Sequence, residues 1–414
     1  MTRALLLSCS PGELWAALVE NDELLALRLW RSGSPGQPGE IVLGRVRAIR
    51  PELPAALIDI GLERPGFLSG EDAEPRGSLA NLHEGQSIIV QVTKEARADK
   101  ATGLSMRLHR RGNRIGEAER RAIDEAAAQP GPVPRSLEAP ASVLEVALEA
   151  FAAAAPDEIV IDDAAAFGAA RRRLARHAPA LAERLVLHRG RTPLFEGRGL
   201  SEAIADALAP RVALQGGGAL IIEHTAAATV IDVDSGPGDG RRDARAAALA
   251  VNLAAARAVA RQVRLRSLAG PIVIDFVGMR HREDRLKVEA VLAAALAEDR
   301  DSEVLGWTRL GHLELVRKRR HAPLLELLFE PAPNGGWRRT PLTIALDALR
   351  ALAREAAAAP SGRVWRLRVG PEIAAILAAR AGSARLELEA RLGRAIEVVA
   401  DPALDRETVD ISSR

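Results

Sequence analysis

Hydrophobic and polar positions change rhythm several times along the chain. Residues 1 to 31 carry short apolar runs, of which ELWAALVEN and LLALRLW read as two strands of a hairpin joined through Asn21 and Asp22. SGSPGQPGE, 32 to 40, reads as a linker. From about 40 to 106 the runs EIVLGRVRAI, AALIDIGLERPGFL, SIIVQVTKEA and TGLSMRLH are strand-length and broken by Pro and Gly, a pattern that predicts a small barrel or sandwich. Arg-rich helical sequence follows to about 128 and stops at QPGPVPRSLEAP. From about 138 to 209 helical patterns alternate with the strands EIVIDD and LVLHRG. After QGGGA come the strands ALIIEH and TVIDVDSG, and then an amphipathic helix over about 241 to 267 ended by Gly270. The apolar strand PIVIDFVGM and a helix over KVEAVLAAALAEDR follow. Strand, helix and strand in succession predict a mixed α/β layer. Residues 335 to 414 read as a small terminal domain with RVWRLRVG as its clearest strand, and no internal repeat is seen.

Two of these strands end alike. Asp232 closes ATVIDVDSG and Asp275 closes PIVIDFVGM, each directly after Val-Ile. Successive strand side chains point to opposite faces, so Asp232 and Asp234 share one face, about 7 Å apart along the chain. Like charges that close repel unless a cation or a set of donors offsets them. If the two strands are neighbours, three carboxylates converge where open α/β sheets place their ligands. An oxygen-only set with no His or Cys at metal spacing favours Mg²⁺ or Mn²⁺ over zinc and suits phosphate chemistry. Taken singly, each aspartate has a plainer use as turn residue, cap or acceptor of backbone N–H groups. GPGDG lacks a following Gly-Lys-Ser/Thr, which excludes a P-loop.

Composition narrows the setting. A chain of 414 residues holds two to four domains, and a formal charge of +2 excludes a strongly basic body. Lysine stands only at 94, 100, 287 and 318. Cys9 is the single cysteine, so neither a disulfide framework nor a zinc ribbon of paired cysteines is available within the chain. MTRALLLSCSPGE has an apolar core of about four residues, short of the roughly 7 to 15 of a signal peptide. No run approaches the roughly 18 apolar residues of a membrane span. The expected location is cytoplasmic, without a membrane partner.

Basic residues accompany the aspartates: Arg241, Arg242 and Arg245, then Arg257, Arg261, Arg264 and Arg266, then the run 317 to 320 that includes Arg317 and Lys318. On a helix 257, 261 and 264 share a face, a stripe that is solvated surface or a track for a phosphate backbone. In the strand-rich segment Phe67, Lys94 and Lys100 are candidates for a nucleic-acid face, although stacking platforms normally offer several aromatics.

TVIDVDSG, NLAAARAVARQVRLRSLAGPIVIDFVGM, GHLELVRKR, ALIDIGLERPGFL and GRTPLFE stand in the order of the blocks of the ribonuclease E/G endoribonucleases. Over nearly all of residues 1 to 325 the chain resembles that family. The resemblance implies an α+β multidomain fold. An RNase-H-like subdomain (1–36 with 138–209) is interrupted by an OB-fold RNA-binding domain (37–106) and a shortened sensor-region remnant with linker (107–137). A DNase-I-like catalytic subdomain (210–325) and a small α/β C-terminal domain (335–414) follow. Asp232 and Asp275 would hold a catalytic Mg²⁺, with Asp234 where the family usually has an asparagine thought to orient the water. The implied reaction cuts single-stranded RNA to 5′-phosphate and 3′-hydroxyl ends, in rRNA maturation or mRNA turnover.

Departures from the family pattern refine this expectation. Ala226 replaces the glutamate of TEAL, Gly278 replaces an aspartate, and Leu57 replaces a surface aromatic. Only about thirty residues, Arg107 to Ser136, stand where the 5′-end sensor would be, without its Arg-Thr pair. LLFEPAPNGG replaces the cysteines of the family's zinc link, so no zinc is expected and any homo-oligomer forms without it. The expectation is an endoribonuclease free of 5′-monophosphate sensing. The alternatives are an RNA-binding protein of the same fold with little cleavage, and a Mg²⁺ phosphotransfer enzyme acting on a small molecule.

Overall fold

The structure is a computed structural model that describes residues 2–32, 36, 38–50, 52–76, 79–94, 101–110, 113–138, 142–190, 192–225, 227–236, 244–319, 322–360 and 362–414. The chain forms a mixed α+β molecule of two compact units. One spans Ser32–Val146, and the other joins the chain before it to Ala147–Arg414.

The inserted unit is built on five short strands, Ile41–Arg50, Ala55–Asp59, Gly66–Ser69, Ser87–Lys94 and Gly103–Ser105. The first three pair in sequence, the third pairs in parallel with the fifth, the fifth pairs with the fourth, and the fourth closes on the first. That connectivity is an OB-like barrel. Alternation places Val42, Val46, Ile58, Leu68, Val90 and Leu104 inside. Strand Arg135–Glu138 extends the first barrel strand, and helix Glu117–Ala128 seats Ile123 against Ile41 and Leu108.

In the other unit a five-stranded sheet has the order Leu185–Leu187, Glu158–Ile161, Arg3–Ser10, Glu13–Glu20, Glu23–Arg31. The last three form a meander whose final turn holds Asn21 and Asp22 at φ 48° and 65°, the left-handed pair that a two-residue hairpin requires. The first two are parallel to Arg3–Ser10 and come from beyond the inserted barrel.

A six-stranded sheet follows, in the order Arg211–Ala213, Ala219–His224, Thr229–Asp234, Gly270–Asp275, Leu313–Arg317, Ser302–Trp307. Its one parallel pair, Thr229–Asp234 with Gly270–Asp275, is connected by helix Ala244–Leu265. Helix Arg282–Ala295 packs beside that helix. Both cover one face, where Ile231, Ile272, Ile274 and Leu315 meet Ala256, Val259, Val288 and Leu292. The last two strands were not anticipated, although Leu313, Leu315 and Arg317 alternate with polar or half-buried neighbours.

The terminal region, helices Pro341–Ala358, Pro371–Ala378 and Gly382–Leu392 with a three-stranded sheet, packs on the first hairpin of the chain. Gly12 has φ +75°, and a Cβ there would lie 2.5 Å from that of Ala384. Its N–H donates to Glu387. Glu13, 4% exposed, accepts from Arg31 and from Arg350. The terminal region thus braces the N-terminal sheet.

A second buried pair ties the sheet together. Burial alone would raise the Asp299 carboxyl, but the Arg317 guanidinium at 2.7 Å and the Ser302 hydroxyl hold it below its usual range. A folded pKa below the unfolded value of about 3.9 gives stability that is full above that value and lost as pH falls through the folded one. In urea titrations the advantage of the wild type over Asp299→Asn is therefore expected to shrink below about pH 4.

Candidate active site

Asp232 and Asp275 are register partners on the two parallel neighbours. Adjacent strands lie about 5 Å apart and registered residues share a face, so the two carboxylates stand side by side. Burial alternates along both strands. Ile231 and Val233, like Ile272 and Ile274, face the helices, while Asp232 and Asp275 face solvent. The strand PIVIDFVGM was expected to be apolar throughout, but in Gly270–Asp275 only the helix-facing half is buried. The carboxylates lie at the C-terminal ends of the central strands, the usual ligand position of such sheets.

Asp234 departs from the expected trio. It lies on the same face one row further on, and both of its oxygens are engaged. Oδ2 accepts from Arg211 Nη2 at 2.7 Å, and Oδ1 accepts from the Gly236 N–H at 2.8 Å. The Arg211 guanidinium, and after it the Gly236 N–H, hold this carboxyl below the usual carboxylate range. Among the described residues no three His, Cys, Asp or Glu gather as a metal-holding group. The convergence of three carboxylates is therefore corrected to a pair with a neighbour tied to arginine. The glycine turn before Ala219–His224 serves this corner: Gly218 has φ +87°, and a Cβ there would sit 2.4 Å from the Asp234 carbonyl oxygen. Only glycine permits that approach.

The loop beyond Asp275 is clamped from beneath. Asn252, fully buried in the long helix, donates from Nδ2 to the Val277 carbonyl at 2.7 Å and accepts from the Val277 N–H at 3.0 Å. Arg285 Nε donates to the Met279 carbonyl at 3.0 Å, and its guanidinium lies over the Trp307 ring. Asn252→Ala would leave both Val277 groups unpaired. It is expected to cost about 1–3 kcal/mol, read as a lower urea midpoint, with faster amide exchange at Val277. A Cβ at Gly278 meets nothing within 4 Å, so space does not exclude a carboxylate there.

The remaining candidates separate. Arg317 is turned inward, bonded to Asp299 and the Leu268 carbonyl, and 9% exposed. It braces the sheet, and the expectation of an RNA contact is corrected by its burial. Lys318 is exposed. Arg261 pairs with Glu23, and Arg264 donates to the Ala295 carbonyl. Their helix lies under the buried face, so the arginine stripe does not flank the carboxylates as expected. In the barrel, Phe67 and Lys94 are both register partners of Gly103, which aligns them in one row on the outer surface with no side chain between. Lys100, Ala226, Arg241 and Arg242 lie outside the described residues. Arg211, Asn252 and His312, whose Nε2 is 3.8 Å from Asp275 Oδ1, were missed. Arg211 stands in none of the quoted blocks, and although Asn252 opens NLAAARAVARQV and His312 lies in GHLELVRKR, only the fold shows that they reach the site.

Among the described residues no helix is long and apolar enough to cross a membrane. The model of the ribonuclease E/G family matches residues 82–320, more than half of the chain. Ribonuclease G of Haemophilus influenzae is 30% identical, with 84% of this chain and 87% of that protein covered. Ribonuclease G of Escherichia coli is 27% identical over 99% of both. Ribonuclease E of Escherichia coli is 28% identical over 86% of this chain and 41% of its own length. The family match takes in both aspartate strands, the clamp beneath them and the last two strands of the barrel, and the chain belongs to the ribonuclease E/G family.

Proposed function

We propose that the chain is a Mg²⁺-dependent endoribonuclease of RNA processing or decay that cuts single-stranded RNA to 5′-phosphate and 3′-hydroxyl ends. The reading is carried by the register pair Asp232 and Asp275, exposed at the ends of parallel neighbours in a member of this family. The donor set fits the metal. Two abreast, oxygen-only carboxylates match the one or two that Mg²⁺ takes from protein, with its remaining positions left to water and phosphate oxygens. When bound, such an ion, Mg²⁺ or Mn²⁺, supplies Lewis acidity at the phosphate and lowers the pKa of its water.

The chain's own residues do the positioning. The strands fix both aspartates on one face, and Asn252 and Arg285 hold the loop that follows Asp275. On the barrel, the Phe67 ring offers a stacking face to a base and Lys94 a charge to the backbone. We read the five-stranded sheet as the RNase-H-like subdomain, the barrel as an RNA-binding OB fold and the six-stranded sheet as the DNase-I-like catalytic subdomain. The location proposed is the cytoplasm, and any homo-oligomer forms without zinc, since Cys9 is the only cysteine.

Cutting proceeds on this reading without 5′-monophosphate sensing. The hollow of about 390 Å³ in the shortened region is lined by Arg114, Arg120 and Arg121 together with Glu117 and Asp124. Arg114 is paired with Glu74, and Arg120 with Asp124. Charge that is already balanced favours an added phosphate little.

The test is cleavage of 5′-labelled RNA, single-stranded or duplex, carrying a 5′-monophosphate or 5′-hydroxyl, in Mg²⁺ or EDTA. Internal Mg²⁺-dependent cuts confined to single strands, equal for both 5′ ends and steeply weakened by salt, are expected. Binding without cutting would make the chain an RNA-binding protein, and salt-insensitive activity on a nucleotide would overturn the polymer substrate.

A further inference from the structure

One cross-strand row of the open face reads Arg211, Ile221, Asp232, Asp275. The next row down reads Glu223, Val230, Val273, Glu314. Side chains in register share a face, so the first row has an arginine at one end while the second is bounded by carboxylates on both sides. A polyanion is repelled from the second row, whereas along the first Arg211 and the cation proposed at Asp232 and Asp275 would offset the carboxylate charge. Arg211 is two strands from Asp232, about 10 Å at the usual strand spacing. A guanidinium side chain spans much of that distance toward a phosphate beside the carboxylate pair. Asp234 binds only Nη2 of Arg211, in a side chain that is 57% exposed, and the Gly236 N–H fixes Asp234 in turn.

We propose that Arg211 is a substrate-binding residue that contacts a phosphate of the RNA next to the one cut, and that Asp234 is its positioning residue and not a metal ligand. The proposal rests on the nuclease reading above. It sets the path of the RNA: the strand crosses the sheet along the row, at right angles to the β-strands. A planar guanidinium anchored on one edge presents its remaining N–H groups in a fixed direction, which suits a phosphate oxygen.

The test is a double-mutant cycle of Arg211→Ala and Asp234→Ala, read in three ways. KM and kcat are measured on single-stranded RNA in Mg²⁺. RNA affinity is measured in EDTA as a function of salt, and Mn²⁺ affinity is measured on the RNA-free protein. Arg211→Ala is expected to raise KM about tenfold with kcat little changed, and to reduce the salt slope by about 1, the loss of one phosphate contact. Asp234→Ala is expected to raise KM by a similar factor, and the double variant to be no worse than either alone. Mn²⁺ affinity is expected to stay within about twofold in all three, since neither residue is a ligand. Asp234→Ala that weakens Mn²⁺ binding, or effects that add, would overturn the positioning role. An unchanged KM and salt slope in Arg211→Ala would overturn the phosphate contact while wild-type cleavage leaves the nuclease reading standing. A wild type that neither binds nor cuts RNA would overturn both.

Discussion

Asp275→Asn is expected to abolish cleavage of single-stranded RNA and to leave folding and RNA binding in place. The substitution keeps the size and shape of the side chain and removes its charge. Asp275 is 54% exposed at the end of its strand, and the clamp beneath it runs through the backbone of Val277 and Met279. The fold therefore has little to lose. The site loses half of the charge proposed to hold its cation, and with it several kcal/mol of stabilisation at the phosphate, about a thousandfold or more in rate. Asp232→Asn should behave alike, and the double variant should add little, because residues that act as a unit are non-additive. Single-turnover cleavage, with unfolding midpoints and RNA affinity in EDTA as controls, checks it. Cleavage within tenfold of wild type would remove the pair from the mechanism.

Glu13→Ala is expected to be the most damaging single change to stability. Glu13 is a buried carboxylate on which two guanidiniums converge, Arg31 at 2.8 Å and Arg350 from the first terminal-region helix. Arg31 also donates to the Leu327 carbonyl at 2.6 Å and to Thr343 at 2.9 Å. Replacing a buried ion network by apolar residues is often neutral, but removing one partner leaves buried charge uncompensated at about 3–5 kcal/mol. Glu13→Gln keeps an acceptor and should fall between. A lower urea midpoint at unchanged m-value is the expected signature, and a change under 1 kcal/mol would show that water reaches the network.

The aspartate pair was legible because its two strands carry the same local signal, Val-Ile-Asp after an apolar run, and repeated chemistry at a strand end survives without any knowledge of pairing. The barrel was legible from short strands punctuated by Pro and Gly. Register was not, and it decides which polar residues meet. Asn252 sits among alanines in NLAAARAVA and looks solvated from sequence, until the helix is placed under the sheet and its amide reaches Val277. Arg317 shows the opposite error. Its neighbours Lys318 and Arg319 suggest a basic surface, yet in the period-two pattern of LELVR it falls on the side of Leu313 and Leu315 and is buried. Arg211 carries no motif, and only cross-strand order relates it to Asp232.

The inserted barrel has a consequence for how the chain is made. Strand Arg3–Ser10 is translated before the barrel, and its parallel partner Glu158–Ile161 only after the whole of Ser32–Val146. At about 5–20 residues per second that is a wait on the order of ten seconds. During it the Arg3–Ser10 edge of the nascent meander stays unpaired and apolar, the kind that recruits other chains. The contiguous barrel can fold meanwhile, while the discontinuous sheet starts first and finishes late. Synthesis rate and chaperone supply are then expected to affect the yield of native molecules in addition to the final stability of the protein.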